Sequence, residues 1–116
     1  MSGCTEAQTA EITEDTIRAM ADVLVRRFHP KRIILFGSWA RGTQTPDSDV
    51  DLLVVTRKNE GEPMDTGAKM ATAVASFGVP KDIIVQSEEL FERNRHLDWS
   101  ITAEALRNGR SLYCEA

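Results

Sequence analysis

No apolar run in the sequence approaches the ~20 residues needed to cross a bilayer, so an integral membrane protein is not expected. Residues Met1 to Glu11 have no basic start and no apolar stretch, so they read as a flexible leader rather than a secretory signal. Cysteine is scarce. Cys4 and Cys114 stand near opposite ends, too few and too far apart for a zinc site or a disulfide framework, and read as free thiols of a reducing cytoplasm. A basic surplus is also missing: 14 Lys and Arg stand against 18 Asp and Glu, a net charge of -4. A protein that holds nucleic acid by its phosphates usually carries the opposite balance, so nucleic acid is not expected as a primary ligand. Repeats and low-complexity tracts are absent. What is present is 41% hydrophobic and 28% charged residues over 116 positions. That is ordinary globular composition, enough for one domain spanning 1–116 with one core.

The order of elements can be read from periodicity and punctuation. Ile17, Met20, Ala21, Leu24, Val25 and Phe28 form an i, i+3, i+4, i+7 stripe, which predicts a helix over 14–28. Thr13 reads as its N-cap, Ile12 and Ile17 as a hydrophobic staple, and His29-Pro30 as its end. Ile33-Ile34-Leu35-Phe36 predicts a buried strand, and Val50 to Thr56 a second. Between them, Ser38 to Arg41 has room for one helical turn. Pro63 suits a helix start, with Met70, Val74 and Phe77 on one face and Gly78 as its stop. Asp82 to Gln86 predicts a third strand, Ser87 the cap of a short helix, Asp98 to Asn108 a last helix and Ser111 to Tyr113 a terminal strand. This order predicts an α+β fold, a small mixed sheet with helices mainly on one face.

The segment Phe36-Gly37-Ser38-Trp39-Ala40-Arg41-Gly42, followed by Ser48-Asp49-Val50-Asp51-Leu52, carries the chemistry. Residues i and i+2 of a strand share a face, with Cα atoms roughly 6.5 Å apart, so Asp49 and Asp51 converge. Two carboxylates about 5 Å apart at an effective dielectric near 20 repel by roughly 3 kcal/mol. A divalent cation removes that penalty. Hard oxygen ligands with no nearby His or Cys select Mg2+, or Mn2+ in its place. A strand that ends in Gly-Ser and leads into a helical turn exposes backbone N–H groups that hold phosphate oxygens. Gly37 permits close approach, Ser38 can donate its hydroxyl, and Arg41 can reach the same anion or brace the loop.

Gly-Ser-x-Ala-Arg-Gly followed by Ser-Asp-x-Asp-Leu resembles the minimal nucleotidyltransferase group of the DNA polymerase beta-like nucleotidyltransferase superfamily, over about Arg32 to Tyr113. The resemblance implies transfer of a nucleoside monophosphate, AMP from ATP, to a hydroxyl, with pyrophosphate released. It also implies a third carboxylate on a neighbouring strand. Asp82 fits, opening the run Ile83-Ile84-Val85, although Lys81 stands where the family has an apolar residue; Asp65 and Glu88 are the alternatives. Asp49, Asp51 and Asp82 would then hold two Mg2+ ions, with Gly37, Ser38 and Arg41 on the phosphates. His29 and His96 read as surface or capping residues. Trp39 either packs or stacks on a base. Trp99, Leu90, Phe91 and Leu106 read as core or partner surface, and Arg26-Arg27 and Arg57-Lys58 as solvated edges.

Short chains of this group are commonly paired with a helical HEPN-type toxin, and some add AMP to a tyrosine of that toxin. Two functions follow from the resemblance. One is an antitoxin enzyme that nucleotidylates its partner. The other is a non-catalytic antitoxin that neutralises by docking.

Overall fold

The computed structural model describes residues 12–57 and 63–115. The expected leader, Cys4, Lys58 and most of the connection after Arg57 lie outside them. Helix α1 spans Glu14–Phe28, strand β1 Arg32–Phe36, the one-turn helix α2 Ser38–Arg41 and strand β2 Val50–Thr56. Helix α3 follows at Pro63–Ala73, a 3-10 turn at Ala75–Phe77 and strand β3 at Lys81–Ser87. Helices α4 (Glu88–Asn94) and α5 (Ile101–Asn108) lead to strand β4 (Arg110–Cys114). Thr13 caps α1 as expected: its side chain accepts from the Thr16 N–H, and the Thr16 hydroxyl accepts from the Thr13 N–H.

The strands form one mixed sheet in the order β3-β2-β1-β4. β1 is antiparallel to β2 and to β4, whereas β2 and β3 are parallel. Alternation along the strands divides the core in two. Ile33, Leu35, Leu52 and Val54 meet Ile17, Met20 and Leu24 of α1 and Met70 of α3. Ile34, Phe36, Leu53 and Val55 meet Phe91 of α4 and Ala105 of α5. The two longer helices therefore make the main helical layer. The two short ones cover part of the opposite face and leave one end of it open.

Three local readings are refined. The helix expected to reach Phe77 stops at Ala73; the chain continues as the 3-10 turn, closed by Gly78 at φ 67°. The last helix begins at Ile101 rather than Asp98, because the Ser100 hydroxyl accepts from the Ala103 N–H and donates to the Asn94 carbonyl at 2.6 Å. Arg57 is not a solvated edge: it pairs with Glu115 and donates to the His29 carbonyl. Arg26 and Arg27 are exposed as expected. On β4 the register shifts between Ile33 and Ile34, leaving Leu112 unpaired, so Leu112 and Tyr113 both pack on the α1 side.

Gly109 seats α5 against the sheet. A β-carbon there would lie 2.4 Å from the Ala105 carbonyl oxygen and 2.6 Å from that of Leu35, closer than such atoms approach. Gly109→Ala is expected to destabilise the protein by about 1–3 kcal/mol, as overpacking does. Urea denaturation checks this through a lower midpoint at unchanged slope.

Candidate active site

The open end of the α4/α5 face is where the chemistry-bearing residues meet. β1 ends at Phe36, whose register partner on β2 is Asp51. Asp51 is in turn the register partner of Asp82 on β3. Adjacent residues in register point to the same side of a sheet, so the two carboxylates stand side by side across neighbouring strands. Val50 and Leu52, which flank Asp51 in β2, are fully buried on the α1 side. Asp49 sits just before β2. It is delivered by a loop in which Ser48 accepts from the Thr45 N–H at 2.8 Å. The neighbouring Val50 N–H then bonds the Pro80 carbonyl at 2.9 Å, which ties the start of β2 to the entry of β3.

Gly37 forms the lip of the site. Its backbone lies at φ 76°, a region that side chains other than glycine's disfavour. A β-carbon at Gly37 would stand 2.2 Å from Asp51 Oδ2. Glycine is thus required twice over, by conformation and by the neighbouring carboxylate. The Gly37 carbonyl accepts from the Ala40 and Arg41 N–H groups at 3.1 Å, closing the turn of α2.

Asp51 titrates above the ordinary aspartate value of 3.8, first because it is partly buried, then because Asp82 and Asp49 are near; Arg41 pulls the other way. All three acids and Arg41 therefore act on one locus. Among the described residues, no group of three His, Cys, Asp or Glu side chains is drawn together as a chelating cage. The backbone register sets Asp51 beside Asp82 without drawing the three acids into a cage. An all-carboxylate set whose central member is destabilised by its neighbours suits a hard divalent cation.

The alternatives to Asp82 lie elsewhere. Glu88 pairs with Lys31 at 3.3 Å, where β3 ends, and Asp65 is exposed in the first turn of α3. His29 caps α1 and His96 is exposed in the turn after α4. Trp39 packs against the α1-side core. Phe91 is buried, Leu106 packs beside it, and Trp99 stands 83% exposed. Arg41 braces the site: its guanidinium bonds Glu104 of α5 at 3.1 Å. Nothing in the sequence marks Glu104 for this contact, because 63 positions separate the two residues. A groove of about 490 Å³ lined by Arg27, Phe28, Lys69 and Thr72 lies on the α1 and α3 side and contains none of these residues.

Solved structures share this architecture. The crystal structure of a Sulfolobus solfataricus protein assigned as a nucleotidyltransferase matches with a TM-score of 0.51 at 26% identity, over 68% of this chain and 70% of that one. A toxin–antitoxin structure solved with AMP-PNP shares the fold at 22% identity, with a TM-score of 0.54 over 84% of this chain and 73% of its own. In sequence, a Methanocaldococcus jannaschii chain assigned as a protein adenylyltransferase is 37% identical over 102 residues, 86% of this chain and 97% of that one. The nucleotidyltransferase domain model matches residues 17–110, and the chain belongs to that family of transferases. The resemblance drawn from the Gly-Ser turn and the paired aspartates holds at this level.

The Asp51 shift has a testable sign. A carboxyl raised in the folded state costs stability when ionised, and the cost vanishes once it is protonated in both states. In EDTA at pH 7, Asp51→Asn is therefore expected to raise the melting temperature. That advantage should shrink as the pH falls through the raised value toward the ordinary aspartate range. Calorimetric scans of both proteins from pH 7 to pH 3.5 check it.

Proposed function

We propose that this nucleotidyltransferase transfers AMP from ATP to a hydroxyl of a partner protein, with Asp49, Asp51 and Asp82 as its metal-holding carboxylates. The observation that carries the proposal is the in-register pair Asp51 and Asp82 beside the left-handed Gly37. In this reading the Gly37-Ser38 turn and Arg41 hold the triphosphate. Asp49, Asp51 and Asp82 are the carboxylates that would hold two Mg2+ ions. When bound, the ions neutralise charge on the attacking and leaving oxygens. The hydroxyl oxygen bonds the α-phosphorus as the bond from that phosphorus to the bridging oxygen breaks. Pyrophosphate leaves with the electron pair, and the hydroxyl proton passes to the carboxylate group of the site. Positioning and charge neutralisation carry the rate, since the protein forms no covalent bond.

Likeness to other proteins supports the reading of the acceptor. The Methanocaldococcus relative is assigned to protein adenylylation, and the fold occurs in toxin–antitoxin assemblies. Together with the resemblance to minimal nucleotidyltransferases, this supports a HEPN-type toxin as partner and one of its tyrosines as acceptor, this chain being the antitoxin. A docking role without catalysis draws support from Trp99 and Ile101, 83% and 46% exposed.

Incubation with labelled ATP, Mg2+ and the candidate toxin is expected to label the toxin, and Asp49→Asn to reduce labelling at least 100-fold. Neutralisation that survives Asp49→Asn together with Asp51→Asn would show that docking suffices. Mg2+ with a nonhydrolysable ATP analogue at ten times its Kd is expected to stabilise the protein by about 1.4 kcal/mol, read as a higher melting temperature. Absence of any shift at millimolar analogue would count against the nucleotide site.

A further inference from the structure

Arg41 is a long side chain on a four-residue helix between two glycines of positive φ, Gly37 and Gly42. Nothing in that short turn fixes its guanidinium. The carboxylates of the site lie close enough for its charge to be felt at Asp51. Left alone, the guanidinium would be drawn onto them and would occupy the place where cations are needed. Glu104 gives the guanidinium a different partner. Its Oε2 accepts from Arg41 at 3.1 Å and its Oε1 from the Asn108 side chain at 3.2 Å, so both oxygens are engaged.

The platform beneath Glu104 is rigid. Thr102 donates to Gln86 of β3 at 2.7 Å in a fully buried bond, and Ser100 caps the helix. At the other end of α5, Gly109 packs against the Leu35 carbonyl. Glu104 is thus anchored to β1 and β3 together, the strands that flank Asp51. One of Arg41's five N–H donors meets Glu104, and the side chain stays 45% exposed.

We propose that Glu104 is a positioning residue: it holds the Arg41 guanidinium beside the carboxylates, oriented to receive triphosphate oxygens and kept out of the cation positions. This rests on the nucleotide-holding role given to Arg41 above. An exposed ion pair of this kind adds little to stability, so its effect is expected in ligand binding.

The test is titration of a nonhydrolysable ATP analogue and of Mg2+ into the full chain, with a thermal melt of each variant. Glu104→Ala is expected to weaken analogue binding about tenfold. It should also raise the Mg2+ concentration for half-saturation several-fold, with a nearly unchanged melting temperature. Glu104→Gln, whose amide oxygen can still accept from Arg41, is expected to recover most of the binding. In an Arg41→Ala background, Glu104→Ala should add no further loss. Unchanged or tighter binding in Glu104→Ala, with Arg41→Ala clearly impaired, would overturn the positioning role and leave the nucleotide site standing. Normal binding in Arg41→Ala would overturn both. A fall in melting temperature with unchanged Mg2+ half-saturation would assign Glu104 a structural role and overturn the proposal.

Discussion

Like charge held in register is the constraint on which the molecule turns. Asp51 and Asp82 are opposed by the parallel pairing of β2 with β3, and Asp49 stands two residues before Asp51. Neither strand can slide to relieve the repulsion, because a slip of one residue would turn Leu52, Leu53 and Val54 to the wrong faces. The core therefore holds together groups that would separate if free. Asp51 bears the cost as an elevated proton affinity, caused by burial and then by its two neighbours. The folded chain is less stable for this cost, and in the proposed reading a bound divalent cation would offset it.

The rest of the architecture serves that locus. α1 and α3 cover one face, the one opposite to that on which Asp51 and Asp82 stand. α4 and α5, being short, cover the other face only as far as Phe91 and Ala105. Gly37 completes the opening by placing bare backbone within van der Waals reach of Asp51. Nucleotidyl transfer asks little else of a protein, since charge neutralisation and alignment make up most of the catalysis.

Much of this was legible in the sequence, for physical reasons that differ between residues. The cap of α1 is local: Thr13 and Thr16 satisfy one another within a single turn. β1 and β2 are legible because buried strands need apolar runs. Gly-Ser and the paired aspartates are legible because so few structures tolerate them together. The parallel pairing that brings Asp82 to Asp51 is not local, and only a family resemblance pointed to it. Glu104 left no trace, since its partner lies 63 residues away and a glutamate on a helix is ordinary. The start of α5 was misjudged by a few positions, because the Ser100 cap depends on the Asn94 carbonyl that the preceding turn brings into reach.

The irregularity in β4 has its own consequence. β4 is an outer strand of the sheet, and a regular outer strand offers a row of unpaired amides and carbonyls to any passing chain. The extra residue at Leu112 breaks the even spacing of that row and turns two successive apolar side chains inward. A second extended chain laid along β4 would lose its hydrogen bonding at the irregularity. The sheet is thereby guarded at this margin against templated growth.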